Sequence, residues 1–278
     1  MSVWEAILLG VVQGITEFLP ISSSGHLILL PWLFGWDEPG LMFNVGVHLG
    51  TLSAVMIYFW RDLCGMAIAL PRGIMSGQPF RDPLSRLALI IIAGSVPAAI
   101  VGFTASDALD EFFHSGGGGD LAIALVALML IAVGLVLWFA ERRANHHRAI
   151  DCVTTKDGVI IGLAQALALF PGVSRSGGTI TAGLLLGFRR EAAARFSFLL
   201  GVPAVLGAGM IEVRHLMDNG LADGQLPVFA AGIITSAVVG YLSIAFLLRF
   251  LVRHTTLSFI AYRIALGLLV LSLIAFGI

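Results

Sequence analysis

A chain of 278 residues in which 58% are hydrophobic and only 12% charged, with a mean hydropathy of +0.96, lies outside the range of soluble domains, where charged residues make up about a quarter. This is the composition of an all-α polytopic membrane protein. The net charge of −1 offers no basic surface for nucleic acid, and Cys64 and Cys152 have neither a metal-ligand nor a redox spacing, so both are read as ordinary thiols.

The N-terminus, Met1-Ser2-Val3-Trp4-Glu5, lacks the basic residues and small-residue cleavage site of a signal peptide and is expected to stay in the mature protein. Residues 3–35 then run for the length of a span and a half but are interrupted by Gln13-Gly14-Ile15-Thr16-Glu17-Phe18-Leu19-Pro20-Ile21-Ser22-Ser23-Ser24-Gly25-His26. Neither Ile7 to Leu19 nor Leu27 to Leu33 reaches the roughly 20 helical residues that a bilayer requires. A re-entrant helical hairpin is expected, because non-helical backbone at membrane depth needs a covering of protein or a polar cavity. Spans are predicted at 41–60, 87–106 and 121–140, separated by a basic loop over 61–86 and an external loop whose Gly116 to Gly119 run reads as a flexible turn. After the basic segment 141–157, a second interrupted stretch at 158–187 contains Gln165-Ala166-Leu167-Ala168-Leu169-Phe170-Pro171-Gly172-Val173-Ser174-Arg175-Ser176-Gly177-Gly178. Spans at 193–213, 228–248 and 259–277 complete the chain.

The two interruptions are one motif repeated 152 positions apart, with Gln13/Gln165, Phe18/Phe170, Ser22/Ser174, Ser24/Ser176 and Gly25/Gly177 in register. Arg and Lys cluster in 61–86, 141–157, 188–195 and 249–263, the last including Arg263, which marks these segments as cytoplasmic. The opposite loops carry Asp37, Glu38, Asp107, Asp110, Glu111, Asp120, Asp218 and Asp223 against Arg214 alone. That pattern closes only if 3–35 enters and leaves from outside and 158–187 from inside. The expected fold is therefore a single membrane domain over 1–278 with an inverted-topology repeat: six transmembrane helices plus two re-entrant helical hairpins, divided into halves 1–145 and 150–278.

An ionised group near the bilayer centre costs about 2.5–3.5 kcal/mol or more, so Glu17 and Arg175 need partners or a task. A structural ion pair is the bland explanation, and it leaves the surrounding hydroxyls without a role. Ser22, Ser23 and Ser24, and Ser174 and Ser176 beside Arg175, open new helices whose first N–H groups lack acceptors, so the two starts together suit an anion such as phosphate. Ser22 and Ser23 lie four and three residues before His26, which makes an activated hydroxyl and a proton donor for a leaving group available on one helix face. Glu17 can hold a divalent cation or act as base. His48 has no motif around it and is given no role.

These segments closely resemble the two signature segments of the bacterial undecaprenyl-diphosphate phosphatases of the bacitracin-resistance type, and the similarity extends to Arg195-Phe-Ser-Phe-Leu-Leu, chain length and span order. The resemblance implies a multi-pass enzyme of the bacterial inner membrane that hydrolyses undecaprenyl diphosphate, recycles the lipid carrier of peptidoglycan synthesis and confers bacitracin resistance. It implies an active site facing the periplasm and a requirement for Mg²⁺ or Ca²⁺. By position, Glu17 is the essential acid and metal ligand, Ser23 the favoured nucleophile and His26 its acid/base partner. Arg175 binds phosphate, with Ser174, Ser176 and Thr179 lining the same pocket. Gln13 stands where family members carry Glu or Gln, so it is expected to orient Glu17 or substrate. The family's substrate also meets lipid, since its prenyl tail needs an apolar groove open to the membrane.

A polyprenyl-phosphate flippase or transporter is the alternative from another functional class, since inverted repeats with broken helices are transporter architecture. The Ser, His, Glu and Arg set exceeds what binding alone needs. Small residues at Gly201, Ala204, Gly207 and Ala208 permit close helix contact within or between chains, and a homodimer is one arrangement they allow.

Overall fold

The computed structural model describes residues 1–36, 39–113, 119–219 and 225–277, so of the expected glycine turn at 116–119 only Gly119, the first residue of a helix, is described, and the acidic positions Asp37, Glu38 and Asp223 lie outside the described residues. Eleven α-helices are described: α1 Val3–Thr16, α2 Ser23–Phe34, α3 Gly40–Tyr58, α4 Trp60–Met75, α5 Pro83–Phe113, α6 Gly119–Arg143, α7 Thr155–Leu167, α8 Arg175–Leu185, α9 Arg190–Asn219, α10 Leu226–Arg253 and α11 Leu257–Ala275. Among the described residues there is no β-strand beyond one isolated bridge between Arg148 and Phe188.

Among the described residues, five helices are long and apolar enough to cross a membrane: Pro83–Ala105 of α5, α6, Arg190–Met210 of α9, α10 and α11. A sixth is counted if α3 and α4, which meet at a bend of 77°, are taken together. The expected span at 41–60 corresponds to α3. The expected loop over 61–86 is a correction, because most of it is the helix α4. Its charged residues Arg61, Asp62 and Arg72 alternate with Leu63, Met66 and Leu70, which pack on the core, so a segment rich in charge still gains a buried helical face. Large apolar side chains remain exposed along the spans, including Phe103, Ile100, Leu242 and Leu268. That is the outer surface expected against lipid rather than water.

α1, α2, α7 and α8 have 14, 12, 13 and 11 residues, each shorter than a full crossing. Capping boxes start both α1 and α7: Ser2 with Glu5, and Thr154 with Asp157. Each member of one box stands 152 positions from its counterpart. α1 packs on α10 of the other half of the chain, and α7 packs on α5. Both contacts need glycine, since a Cβ at Gly10 would lie 2.7 Å from the Gly232 carbonyl oxygen and one at Gly162 would lie 1.9 Å from that of Gly94.

Outside the spans, Arg148 fastens the α6–α7 connection. Its guanidinium donates to both oxygens of Asp157 at 3.1 and 2.5 Å and to the carbonyls of Leu186 and Cys152, over the face of Phe188. Burial raises the Asp157 carboxyl pKa, but hydrogen bonds from Arg148 and from Thr154 outweigh it and hold the group below its ordinary 3.8. A carboxylate with a depressed folded pKa contributes stability above its unfolded pKa and loses it as pH falls through the folded value. The thermal midpoint of the detergent-solubilised protein should therefore be insensitive to this group from pH 7 down to about 5 and fall below about 4. Asp157→Asn should flatten that acid limb in a melting series across pH.

Candidate functional site

The two interruptions are built alike. α1 stops at Thr16 and α2 starts after Ser22, while α7 stops at Leu167 and α8 starts after Ser174. Ser22 and Ser174 cap the new helices from left-handed backbone, with φ of 79° and 75°. Such conformations cost a non-glycine residue about 1–3 kcal/mol and collect at functional sites. The two cap hydroxyls accept from the N–H groups of Gly25 and Gly177, and each also meets the hydroxyl two residues on, Ser24 or Ser176. Ser22 and Ser174 thus shape the turns. In the second turn, Gly172 has φ 91°, and a Cβ there would lie 2.5 Å from the Val126 carbonyl oxygen.

The turns touch. Ser176 Oγ donates to the Leu19 carbonyl at 3.0 Å, and Arg263 bridges both. This arginine, the largest of the fully buried side chains, donates to the carbonyls of Pro20, Gly172 and Val173, and to those of Leu130 and Met129 on α6. Counting Arg263 with the cytoplasmic charges is corrected here. α11 begins at Leu257, so position 263 is already two turns inside the helix and faces the turns.

Glu17, 6% exposed, is the centre of the site. Its Oε1 accepts from Arg175 Nη2 at 2.7 Å, and its Oε2 from Ser23 Oγ at 2.6 Å and Gln13 Nε2 at 3.1 Å. His48 Nε2 lies 3.5 Å from the same Oε2. Arg175 is steadied by the Ser197 carbonyl, and Thr179 by the Ser197 hydroxyl at 2.6 Å. A narrow cleft between α3 and α9 has Glu17, Thr51 and Arg175 at its polar end and Leu52, Val55, Phe198, Val202 and Val205 as apolar wall. Gly201 completes it, since a Cβ there would lie 2.2 Å from Arg175 Nη1. Gly201→Ala should displace the guanidinium and raise KM for a phosphorylated substrate about tenfold or more, measurable as phosphate release against substrate concentration.

The sequence pairing of Ser23 with His26 needs correction. His26 Nδ1 donates to the Ser22 carbonyl at 2.6 Å and Nε2 accepts from the Tyr262 hydroxyl at 2.7 Å, with the two rings stacked. The group beside Ser23 is the Glu17 carboxylate. His26 instead holds the turn that presents Ser23. Sequence reasoning missed His48, Thr51, Ser197, Tyr262 and Arg263. The signal for the first two was available, because Asn44, His48 and Thr51 fall on one face of an apolar helix.

Residues 6–269 match the family model described as bacitracin resistance protein BacA. The chain belongs to this family. Relatives named undecaprenyl-diphosphatase include one from Thermomicrobium roseum, 57% identical over 277 residues and the whole of both chains. Another, from Geotalea daltonii, is 48% identical over the whole of both, and a third, from Geobacter sulfurreducens, is 48% identical over 96% of each. Membership, together with the apolar helices, makes this a multi-pass membrane protein. The names are those of hydrolases, and they give no support to the flippase alternative.

Proposed function

We propose that this chain is an integral membrane phosphatase that hydrolyses undecaprenyl diphosphate to undecaprenyl phosphate and inorganic phosphate, recycling the carrier for peptidoglycan synthesis and conferring bacitracin resistance. The observation that carries the mechanism is that one carboxylate, Glu17, joins the phosphate-binding arginine of one turn to the serine of the other. The joint suits a resting latch. A diphosphate entering the α3/α9 cleft competes for Arg175, whose planar fork binds phosphate bidentately, and the freed Glu17 remains hydrogen-bonded to Ser23.

Ser23 Oγ then attacks the terminal phosphorus while its proton passes to Glu17, and the P–O–P bond breaks to release the prenyl monophosphate. Water hydrolyses the phosphoserine in a second step. Arg175 and the N–H groups at the two helix starts stabilise the charge on the transferring group. Gln13 orients Glu17, Ser174, Ser176 and Thr179 hold the second turn around Arg175, and Ser22, Ser24 and His26 hold the first. The site's donors suit a hard cation, with Glu17, Ser23 Oγ and a buried Gln13 Oε1 that has no partner. Among the described residues no three His, Cys, Asp or Glu side chains converge, so Mg²⁺ or Ca²⁺ on Glu17 would lean on substrate oxygens and water, neutralising phosphate charge.

The same proposal takes α1–α2 and α7–α8 as re-entrant hairpins of an inverted-topology repeat over 1–145 and 150–278, in the bacterial inner membrane, with the site open to the periplasm. Supporting it are the crossed packing of α1 on α10 and α7 on α5 and the paired caps 152 residues apart. The test is phosphate release from a C55 prenyl diphosphate by the purified protein with Mg²⁺ or Ca²⁺, comparing wild type with Ser23→Ala, His26→Ala and Arg175→Ala. Absence of release from folded wild type would overturn the enzyme reading. Full activity in Ser23→Ala would move the nucleophile to water.

A further inference from the structure

His48 reaches the site from outside both motifs. Its Nδ1 lies 2.7 Å from the Asn44 carbonyl oxygen. A carbonyl only accepts, so Nδ1 carries the proton and the neutral ring has its lone pair on Nε2. That lone pair stands 3.5 Å from Glu17 Oε2, too far for a good hydrogen bond. Two acceptors so placed repel unless a positive centre lies between them. Two ligand atoms about 2.1 Å from one metal ion, at an angle between octahedral and tetrahedral, are themselves roughly 3.0–3.5 Å apart.

A proton on Nε2 would also relieve the repulsion, and the Gln13 amide beside the same carboxylate bears on which of the two is present. Gln13 is fully buried, its Nε2 is 3.1 Å from the same Glu17 oxygen, and its Oε1 has no partner. Turning that amide over exchanges the two atoms: Nε2 takes the buried place without a partner, and a carbonyl oxygen comes to the Glu17 Oε2 that His48 also approaches. A cation there is shared by three ligand atoms, the His48 nitrogen, the Glu17 carboxylate oxygen and the amide oxygen, whereas a proton is shared by two. The ring is partly exposed, at 29% of its side chain, so an ion has access.

We propose that His48 is a direct ligand of the divalent cation, through Nε2, together with Glu17 Oε2 and the amide oxygen of Gln13. The inference rests on the cation reading given above and changes its chemistry. Oxygen-only sites suit Mg²⁺ and Ca²⁺, whereas an imidazole ligand shifts preference toward borderline ions such as Mn²⁺. The other histidine near the turns does not compete for this role, since both nitrogens of His26 are engaged.

The experiment is Mn²⁺ titration of the purified full chain in detergent, with pulsed EPR to detect ¹⁴N coupled to the bound ion. Wild type should bind one Mn²⁺ with a directly coordinated nitrogen. His48→Gln should retain its helical circular dichroism, lose the ¹⁴N coupling and bind Mn²⁺ about tenfold or more weakly. Bound Mn²⁺ without ¹⁴N coupling in wild type would overturn the role of His48 and leave the cation on Glu17 intact. Coupling that persists in His48→Gln would equally overturn it. Mn²⁺ binding that is absent, or unaffected by Glu17→Gln, would overturn the cation reading and this inference with it.

Discussion

Glu17→Gln is expected to lower kcat/KM for phosphate release from a C55 prenyl diphosphate by about 10³-fold while the protein stays folded. The substitution conserves volume, so packing against the neighbouring elements survives. What changes is that a neutral amide keeps one oxygen where Arg175 and Ser23 each need an acceptor, and presents N–H to the other. Arg175 keeps the Ser197 carbonyl at 3.0 Å but loses its carboxylate partner. Ser23 loses the group placed to take its proton. Glu17→Asp separates these two losses. The shorter carboxylate stays charged but retreats by roughly one C–C bond, so it cannot reach Arg175 and Ser23 together, and an intermediate loss of about 10- to 100-fold is expected. Rates for the two variants, alongside their melting temperatures, check this. Substantial activity in a folded Glu17→Gln variant would reduce the Glu17–Arg175 contact to a structural ion pair.

The fold was legible where local rules act on neighbouring residues. Broken helices announced themselves through Pro20, Pro171 and the serine runs, and the 152-residue offset already contained Ser2/Thr154, Glu5/Asp157 and Gly10/Gly162, pairs that the structure uses as caps and close contacts. Glu17 and Arg175 were found because charge in apolar sequence is costly. α4 was hidden because a count of loop charges ignores helical phase. The geometry around Ser23 was hidden for another reason. Spacing on one helix offers His26, but the turn swings Ser23 back toward Glu17, six residues earlier, and sends His26 to Tyr262 on α11. Ser197 joins the site only through the packing of α9, a long-range arrangement that no local pattern encodes, and the polar face of α3 marks His48 without saying which group it meets.

Arg263→Met should be the most damaging single change outside the cluster itself. Charge rules assign position 263 to a cytoplasmic boundary, yet its guanidinium serves five carbonyls and is wholly buried. The two on α6 belong to a helix. Those of Pro20, Gly172 and Val173 lie in the turns, outside any helix, so no i+4 N–H is in line to replace the lost donor. At about 1–3 kcal/mol for each buried acceptor left unpaired, a loss of at least roughly 3 kcal/mol is expected, or about 10 °C in the thermal midpoint. Arg263→Lys keeps the charge but offers three donors from a single nitrogen, which cannot span both turns, so it should recover part of the stability. Because Arg263 positions both turns without touching the cleft, kcat should fall in Arg263→Lys more than KM rises. Thermal melts and full rate curves on the two variants test both statements. Wild-type stability and turnover in Arg263→Met would mean that the Ser176–Leu19 bond and helix packing hold the turns by themselves, and that the buried charge serves neither fold nor site.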